Sequence, residues 1–218
     1  MSFNLTLKDK VVLLVAKRNS GKSYLLRYLV RLQAKDFDKI YVICPTEIIN
    51  KFYSKDNFIP QNQIFDSYDE SWVDALIKKM TNLNTDKVDA EKKRVLLILD
   101  DVVADTRFAY SESFKKLIVR GRHMGISLIL TTQYINLLPP VSRVNTDFLI
   151  IGQLNNQSLQ ICADQFSNGI SRKEFIELHK DNTKDFNFLI ISQSSSKTNT
   201  INEIYGSIKT PATEFINL

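Results

Sequence analysis

Short, unbroken apolar runs alternate along this chain with segments whose apolar residues recur every three or four positions. VVLLVA (11–16), KIYVICP (39–45), RVLLILDD (94–101), ISLILTTQ (126–133) and DFLIIGQ (147–153) show no polar alternation. Strands of that kind are buried on both faces, as in a parallel sheet covered by helices on either side. KSYLLRYLVRLQ (22–33) has helical period, with Leu25, Leu29 and Leu32 on one face. DESWVDALIKKMTNL (69–83) carries Trp72, Leu76, Ile77 and Met80, and SESFKKLIVRG (111–121) carries Phe114, Leu117 and Ile118, with Gly121 as its stop. NTDKVDAEKK (84–93) reads as a polar connection, and 155–166 and 171–181 as two further helices. DFNFLIIS (185–192) is a late strand, SQSSSKTNT (192–200) a loop or hairpin turn, and the tail beyond it an edge strand. The expectation is one α/β domain over 1–218, with a mainly parallel central sheet flanked by helices and a C-terminal hairpin or edge strand.

In such sheets ligands bind at the C-terminal ends of the strands. The first strand ends in Ala16-Lys17-Arg18-Asn19-Ser20-Gly21-Lys22-Ser23, followed by Tyr24. A phosphate-binding loop reads G-x-x-x-x-G-K-[ST]; its backbone amides cradle phosphate oxygens and the following helix adds its dipole. Gly-Lys-Ser alone carries little information, but a strand before it and a helix after it, in register, carry much more. Lys22 would reach the β- and γ-phosphates and the Ser23 hydroxyl would ligate Mg²⁺. Ala16 stands where the first glycine is usual, which costs little if that position stays extended.

A phosphate loop also needs an acid at the end of a neighbouring buried strand. LLILDD supplies Asp100, expected to hold Mg²⁺ through its water shell, and Asp101, expected to act on the attacking water. Gln133, at the end of LILTTQ, suits a γ-phosphate sensor, and Glu47 is a weaker alternative base. Arg120 and Arg122 lie in VRGRHMG, before a strand and so at the opposite edge of the sheet. From there an arginine reaches a neighbour's phosphate in a head-to-tail ring rather than its own. His123 reads as a packing or capping residue.

Composition narrows the classes only a little. The 218 residues are 44% hydrophobic with a formal charge of +5, which permits an anionic partner without requiring one. Cys44 and Cys162 form no metal-ligand pattern and read as reduced, partly buried thiols. No apolar run approaches the ~20 residues of a membrane span, and MSFNLTLKDK has no signal-peptide core. A cytosolic or nucleoplasmic protein is expected.

Together, AKRNSGKS, LLILDD and GRHMGISLILTTQ resemble the FtsK/HerA superfamily of P-loop ATPases, and most closely the poxvirus-type genome-packaging ATPases of large nucleocytoplasmic DNA viruses and virophages. The resemblance covers Val11 to Gly152, roughly two thirds of the chain. It implies a RecA-like fold and an ATP- and Mg²⁺-dependent motor that drives double-stranded DNA into a capsid. It further implies a homo-oligomeric ring, hexamer or pentamer, with an arginine finger between subunits, capsid proteins as further partners, and a place in the host cytoplasm at the viral factory or in the virion. Lys22 and Ser23 then belong to Walker A, Asp100 and Asp101 to Walker B, Gln133 is the sensor, and Arg122 is the finger with Arg120 as runner-up. Two departures are Ala16 and the second acid, which is Glu in cellular relatives. DNA contacts would fall on phosphates and be salt-sensitive; the basic candidates are Lys78, Lys79, Lys92, Lys93, Arg94, Lys115 and Lys116.

Other classes fit less well. A GTPase switch lacks its base-reading motif, since NTKD (182–185) has the letters in the wrong order. A small-molecule kinase lacks an arginine-rich lid. A HerA/FtsK-like translocase of repair or conjugation, and an ATP-binding scaffold without turnover, remain as alternatives.

Overall fold

Alternate residues of each apolar run enter two different cores, which is why the runs show no polar alternation. In the computed structural model, which describes residues 5–102, 108, 110–193 and 201–211, Val11, Leu13 and Val15 join one core with Val95, Leu97 and Leu99. Val12, Leu14 and Ala16 join the other, with Leu96 and Ile98. Each such Val, Leu or Ile side chain contributes about 1.5–3 kcal/mol by leaving water.

The strands are β1 (Val11–Val15), β2 (Lys39–Ile43), β3 (Ile64–Phe65), β4 (Val95–Asp100), β5 (Ile126–Thr132), β6 (Phe148–Ile151), β7 (Asn187–Ser192) and β8 (Tyr205–Lys209). They form one eight-stranded sheet in the order β3-β2-β4-β5-β1-β6-β7-β8. The pairs from β3 to β6 are parallel, whereas β6–β7 and β7–β8 are antiparallel. The expected C-terminal edge strand is β8; residues 194–200, most of the expected turn, lie outside the described residues. The antiparallel pairing places the start of β7 at the rim where β1 and β6 end, because Leu189 pairs with Ile151. Lys209, at the end of β8, pairs with Asn187 and returns to that same rim.

Among the described residues the α-helices are α1 (Lys22–Gln33), α2 (Glu47–Asn50), α3 (Glu70–Asn84), α4 (Glu112–Arg120), α5 (Pro140–Val144), α6 (Asn156–Phe166), α7 (Arg172–Asn182) and α8 (Ile201–Ile204). Helix α1 covers one face of the sheet, while α3 and α4 cover the other. Caps set the boundaries. The Asp69 carboxylate accepts from the amides of Ser71 and Trp72, and Ser111, Asn155 and Ser171 cap α4, α6 and α7.

Three details depart from the sequence reading. Leu32 is 54% exposed, and the buried stripe of α1 is Leu25, Leu26, Leu29 and Val30. Helix α4 ends at Arg120 with Gly121 as its cap, as expected, but Gly121 is not left-handed: its φ is −50° and the chain runs on into a 3₁₀ turn, Gly121–Met124. Gly125 supplies the left-handed residue, φ +76°, and a Cβ there would meet the Lys93 carbonyl at 2.4 Å. Strand β3 was not expected, since two residues are too short to show a period. No helix among the described residues is long and apolar enough to cross a membrane.

Candidate nucleotide-binding site

The loop between β1 and α1 is clamped at its start by the neighbouring strand exits. The Ala16 amide donates to the Thr132 carbonyl at 3.2 Å and the Lys17 amide to the Gln153 carbonyl at 2.9 Å. The loop then turns through Asn19, φ +57°, and Gly21, φ +86°, with the Ser20 hydroxyl bonded to the Lys17 carbonyl at 2.7 Å. Gly21 caps α1, and its carbonyl accepts from the Leu25 amide at 2.9 Å. The free amides of the first turn of α1 make this end an anion seat.

Ala16 is fully buried and is not among the residues of positive φ, so no left-handed glycine is required there. Room for its methyl group comes from across the sheet. A Cβ placed on Gly152 would lie 2.9 Å from the Ala16 Cβ and 2.7 Å from the Phe188 ring. The glycine missing from the loop has, in packing terms, its counterpart on β6's exit.

The acidic side is dense. Lys22 Nζ lies 2.7 Å from Asp101 Oδ1, with the lysine side chain 8% exposed. Asp101 is left-handed, φ +52°, and its amide donates to the Thr131 hydroxyl at 3.2 Å. That hydroxyl donates in turn to Asp100 Oδ1. The Tyr53 hydroxyl donates to Asp100 Oδ2 at 2.8 Å, and the Cys44 thiol lies 3.7 Å from the same oxygen. Burial, and then the Asp100 charge, push Tyr53 well above its ordinary range and Cys44 up to about 11. Both therefore stay protonated near neutral pH and keep donating. Tyr53 is held in place by α1: buried Arg27 bonds the Phe52 carbonyl at 3.2 Å and stacks on Phe58 at 4.8 Å.

The loop residues Lys17 to Tyr24, with Asp100, Asp101 and Gln133, line one cleft of about 740 Å³. Ala16, expected among the binding residues, is fully buried and does not line the cleft. Glu47 also lines the cleft, yet its carboxylate accepts from the amides of Tyr53 and Ser54 at 2.8–3.1 Å. The Glu47 side chain thus anchors the loop that carries Tyr53. For Mg²⁺ the donor set is a serine hydroxyl, Ser23, and an acid, Asp100, whose oxygens already take two hydroxyl donors. A hard cation that keeps most of its waters suits this sparse set. The cluster of three or more acidic, His or Cys side chains of an all-protein metal cage is not found among the described residues.

Several residues of the site were not read from the sequence. Tyr53 lies in a polar loop with no motif. Phe186 reaches the rim because β7 runs antiparallel to β6 and so begins where β6 ends; Thr210 follows the end of β8, which runs in the direction of β6 and lies in a tail with little apolar pattern. His179, buried on α7, bonds the Gly152 carbonyl through Nε2 at 2.8 Å. Burial holds its pKa below the ordinary value.

Arg122 lies at the other rim. Its guanidinium is 3.3 Å from Asp147, and Asp147 also accepts from the Val11 amide at 2.8 Å and from Lys10 at 3.4 Å. Because Val11 begins β1 and the phosphate loop follows its end, Arg122 faces away from the chain's own cleft. Arg120 is exposed and has no hydrogen-bond or ion-pair partner among the described residues. His123 is exposed rather than packed. Of the basic candidates, Arg94 does not face solvent: it is 6% exposed and is tied to Asp9 and Asp89. Lys93, Lys115 and Lys116 pair with Asp38, Glu112 and Asp74, and Lys92 lies 3.9 Å from Asp89. Lys78 and Lys79 are exposed on α3.

Residues 3–206 match the family model described as Poxvirus A32 protein. Uncharacterized protein 075L of Invertebrate iridescent virus 6 is 30% identical over 89% of this chain and 74% of its own length. Uncharacterized protein L437 of Acanthamoeba polyphaga mimivirus is 28% identical over 66% of this chain, which spans 52% of that relative. Among solved structures, the genome packaging NTPase B204 of Sulfolobus turreted icosahedral virus 2, in complex with ATP-gammaS, superposes with a TM-score of 0.65 at 22% identity over 92% of this chain and 97% of that one. The conjugation coupling protein TcpA of pCW3 gives a TM-score of 0.61 at 17% identity over 86% of this chain and 58% of that one. At these identities the solved structures establish the shared P-loop NTPase fold.

Proposed function

The chain belongs to the poxvirus A32 family, and on that premise we propose that it is an ATP-hydrolysing motor that moves double-stranded DNA into a viral capsid. The observation that carries this reading is the Lys22–Asp101 contact at 2.7 Å, beside Asp100 and beneath the anion seat of α1. It supports the reading by holding the loop lysine against the acid that follows β4, beside the cleft that the loop lines.

The side chains divide the work. The backbone from Lys17 to Ser23 binds the phosphates, and Lys22 leaves Asp101 for the β/γ oxygens when nucleotide binds. That exchange frees the Asp101 carboxylate to accept a proton from, or orient, the attacking water. Gln133 senses the γ-phosphate. Ser23, and Asp100 through water, would hold Mg²⁺, which would supply charge neutralisation to the phosphoryl group. Arg122 of a neighbouring subunit, with Arg120 as runner-up, completes the site in a pentameric or hexameric ring. The similarity to a packaging NTPase supports the DNA substrate and a place of work in the host cytoplasm at the viral factory or in the virion, with capsid proteins as partners.

The test is ATP turnover by the purified protein with and without double-stranded DNA, beside Lys22→Ala. DNA-stimulated turnover lost in the variant is expected. Nucleotide binding without turnover, at concentrations where oligomers are demonstrated, would leave a scaffold in place of the motor.

A further inference from the structure

The cleft has an aromatic rim that the phosphate chemistry does not use. Phe186 lines the cleft and is 58% exposed. It holds φ +61° directly after Asp185 at φ +52°. Two consecutive left-handed residues ending on a bulky aromatic are a rare and strained turn. The turn is fixed from both sides: the Asn187 amide donates to the Lys184 carbonyl at 2.9 Å, and the Thr210 amide to the Phe186 carbonyl at 3.0 Å. The ring lies against the phosphate loop, since a Cβ on Gly21 would meet Phe186 Cδ1 at 3.2 Å and Thr210 Oγ1 at 3.1 Å. The Thr210 hydroxyl is buried there without a hydrogen-bond partner among the described residues.

Sheet order assigns the ends of a bound nucleotide. Asp100 and Gln133 end β4 and β5, on one side of β1, and fix the γ-phosphate end. A nucleotide laid along the loop then extends toward β6 and β7, where Phe186 stands. Tyr24, packed edge-on against Phe52 at 5.5 Å, belongs to the helix face and to the loop that carries Tyr53, next to the acids. We infer that Phe186 is the base-stacking residue of the site, presented by the antiparallel turn into β7, and that it accepts a purine ring by its face. The inference rests on the phosphate-loop reading and deepens it. A bare aromatic face stacks any base, so this contact strengthens binding of ATP and GTP alike and leaves discrimination between them to other groups.

Dissociation constants for ATP, GTP, ADP and inorganic tripolyphosphate test it, measured on the full chain and on Phe186→Ala, Phe186→Tyr, Tyr24→Ala and Lys22→Ala. Phe186→Ala should weaken all three nucleotides by about 5- to 100-fold and leave tripolyphosphate within twofold, while Phe186→Tyr stays near the parent chain. Three results would overturn the assignment: unchanged ATP affinity in Phe186→Ala, a nucleotide-specific loss in Tyr24→Ala instead, or a loss for tripolyphosphate as large as that for ATP. The last would mean that the ring shapes the loop and does not touch a base. If the parent chain binds no tripolyphosphate, or Lys22→Ala binds it equally well, the phosphate-loop reading itself fails.

Discussion

The two rims of the sheet carry charge in different ways. At the rim where β1, β4 and β5 end, Lys22 and Asp101 satisfy one another at 2.7 Å while an exposed loop and a cleft of about 740 Å³ lie beside them. That pair is replaceable: a phosphate competes for the lysine, and water or a cation shell for the acid. At the rim where β1 begins, buried Asp147 takes the Val11 amide, Lys10 and Arg122 together. That network is closed within the chain, and the Arg122 side chain in it is 36% exposed. One rim sets its ion pair beside an open cleft, and the other ties its cations to one buried carboxylate. Under the proposed function, the cation that the phosphate site requires is the Arg122 of a second copy.

Changes to each rim should therefore fail differently. The largest effects should be on turnover. Arg122→Ala should lower kcat by roughly 10³-fold or more with ATP affinity within twofold of the parent chain, whereas Lys22→Ala should lose both; steady-state kinetics with equilibrium nucleotide binding separate them. Tyr53→Phe, which removes a buried donor from Asp100, should destabilise the fold by about 1–3 kcal/mol, read by denaturant unfolding. Gly152→Ala should cost about 1–3 kcal/mol through contact with Ala16 and Phe188. Adding Ala16→Gly should recover part of that loss, with a coupling of at least about 0.5 kcal/mol in the double-mutant cycle. Strict additivity would refute the packing account of Ala16.

The smallest effect concerns His179. Its pKa is lowered from 6.5 by burial, with further lowering from the charges of Lys17 and Lys180. The unfolded chain thus takes up the proton first as pH falls. The stability associated with the neutral ring is present above pH 6.5 and is lost as pH falls toward the lowered value. Thermal unfolding from pH 8 to 5 should show a flatter pH slope in His179→Gln than in the parent chain.

Much of this was legible because the chemistry sits where the periodicity changes. Ala16–Ser23, Asp100-Asp101 and Gln133 each close a run buried on both faces, so their position at one rim follows from the strand pattern. Residues that reach the cleft by tertiary routes were not legible. Tyr53 arrives through the Arg27 and Glu47 anchors, Phe186 through the reversal of β7, and Thr210 at the exit of a short edge strand. Arg94 looked like surface charge in the run KKRV and instead bridges Asp9 and Asp89, because the acids that neutralise it are remote in sequence or lie across a turn. The replacement at Ala16 made sense only once Gly152 was seen beside it.

The central claim, a site made of Lys22 from one copy and Arg122 from another, is tested most directly by mixing Lys22→Ala with Arg122→Ala and measuring ATP turnover with double-stranded DNA. Each variant alone should be inactive. Mixed rings contain interfaces that join an intact phosphate loop to an intact Arg122, so activity should reappear on mixing. Two inactive variants that co-assemble and stay inactive would contradict a finger supplied by Arg122 in trans.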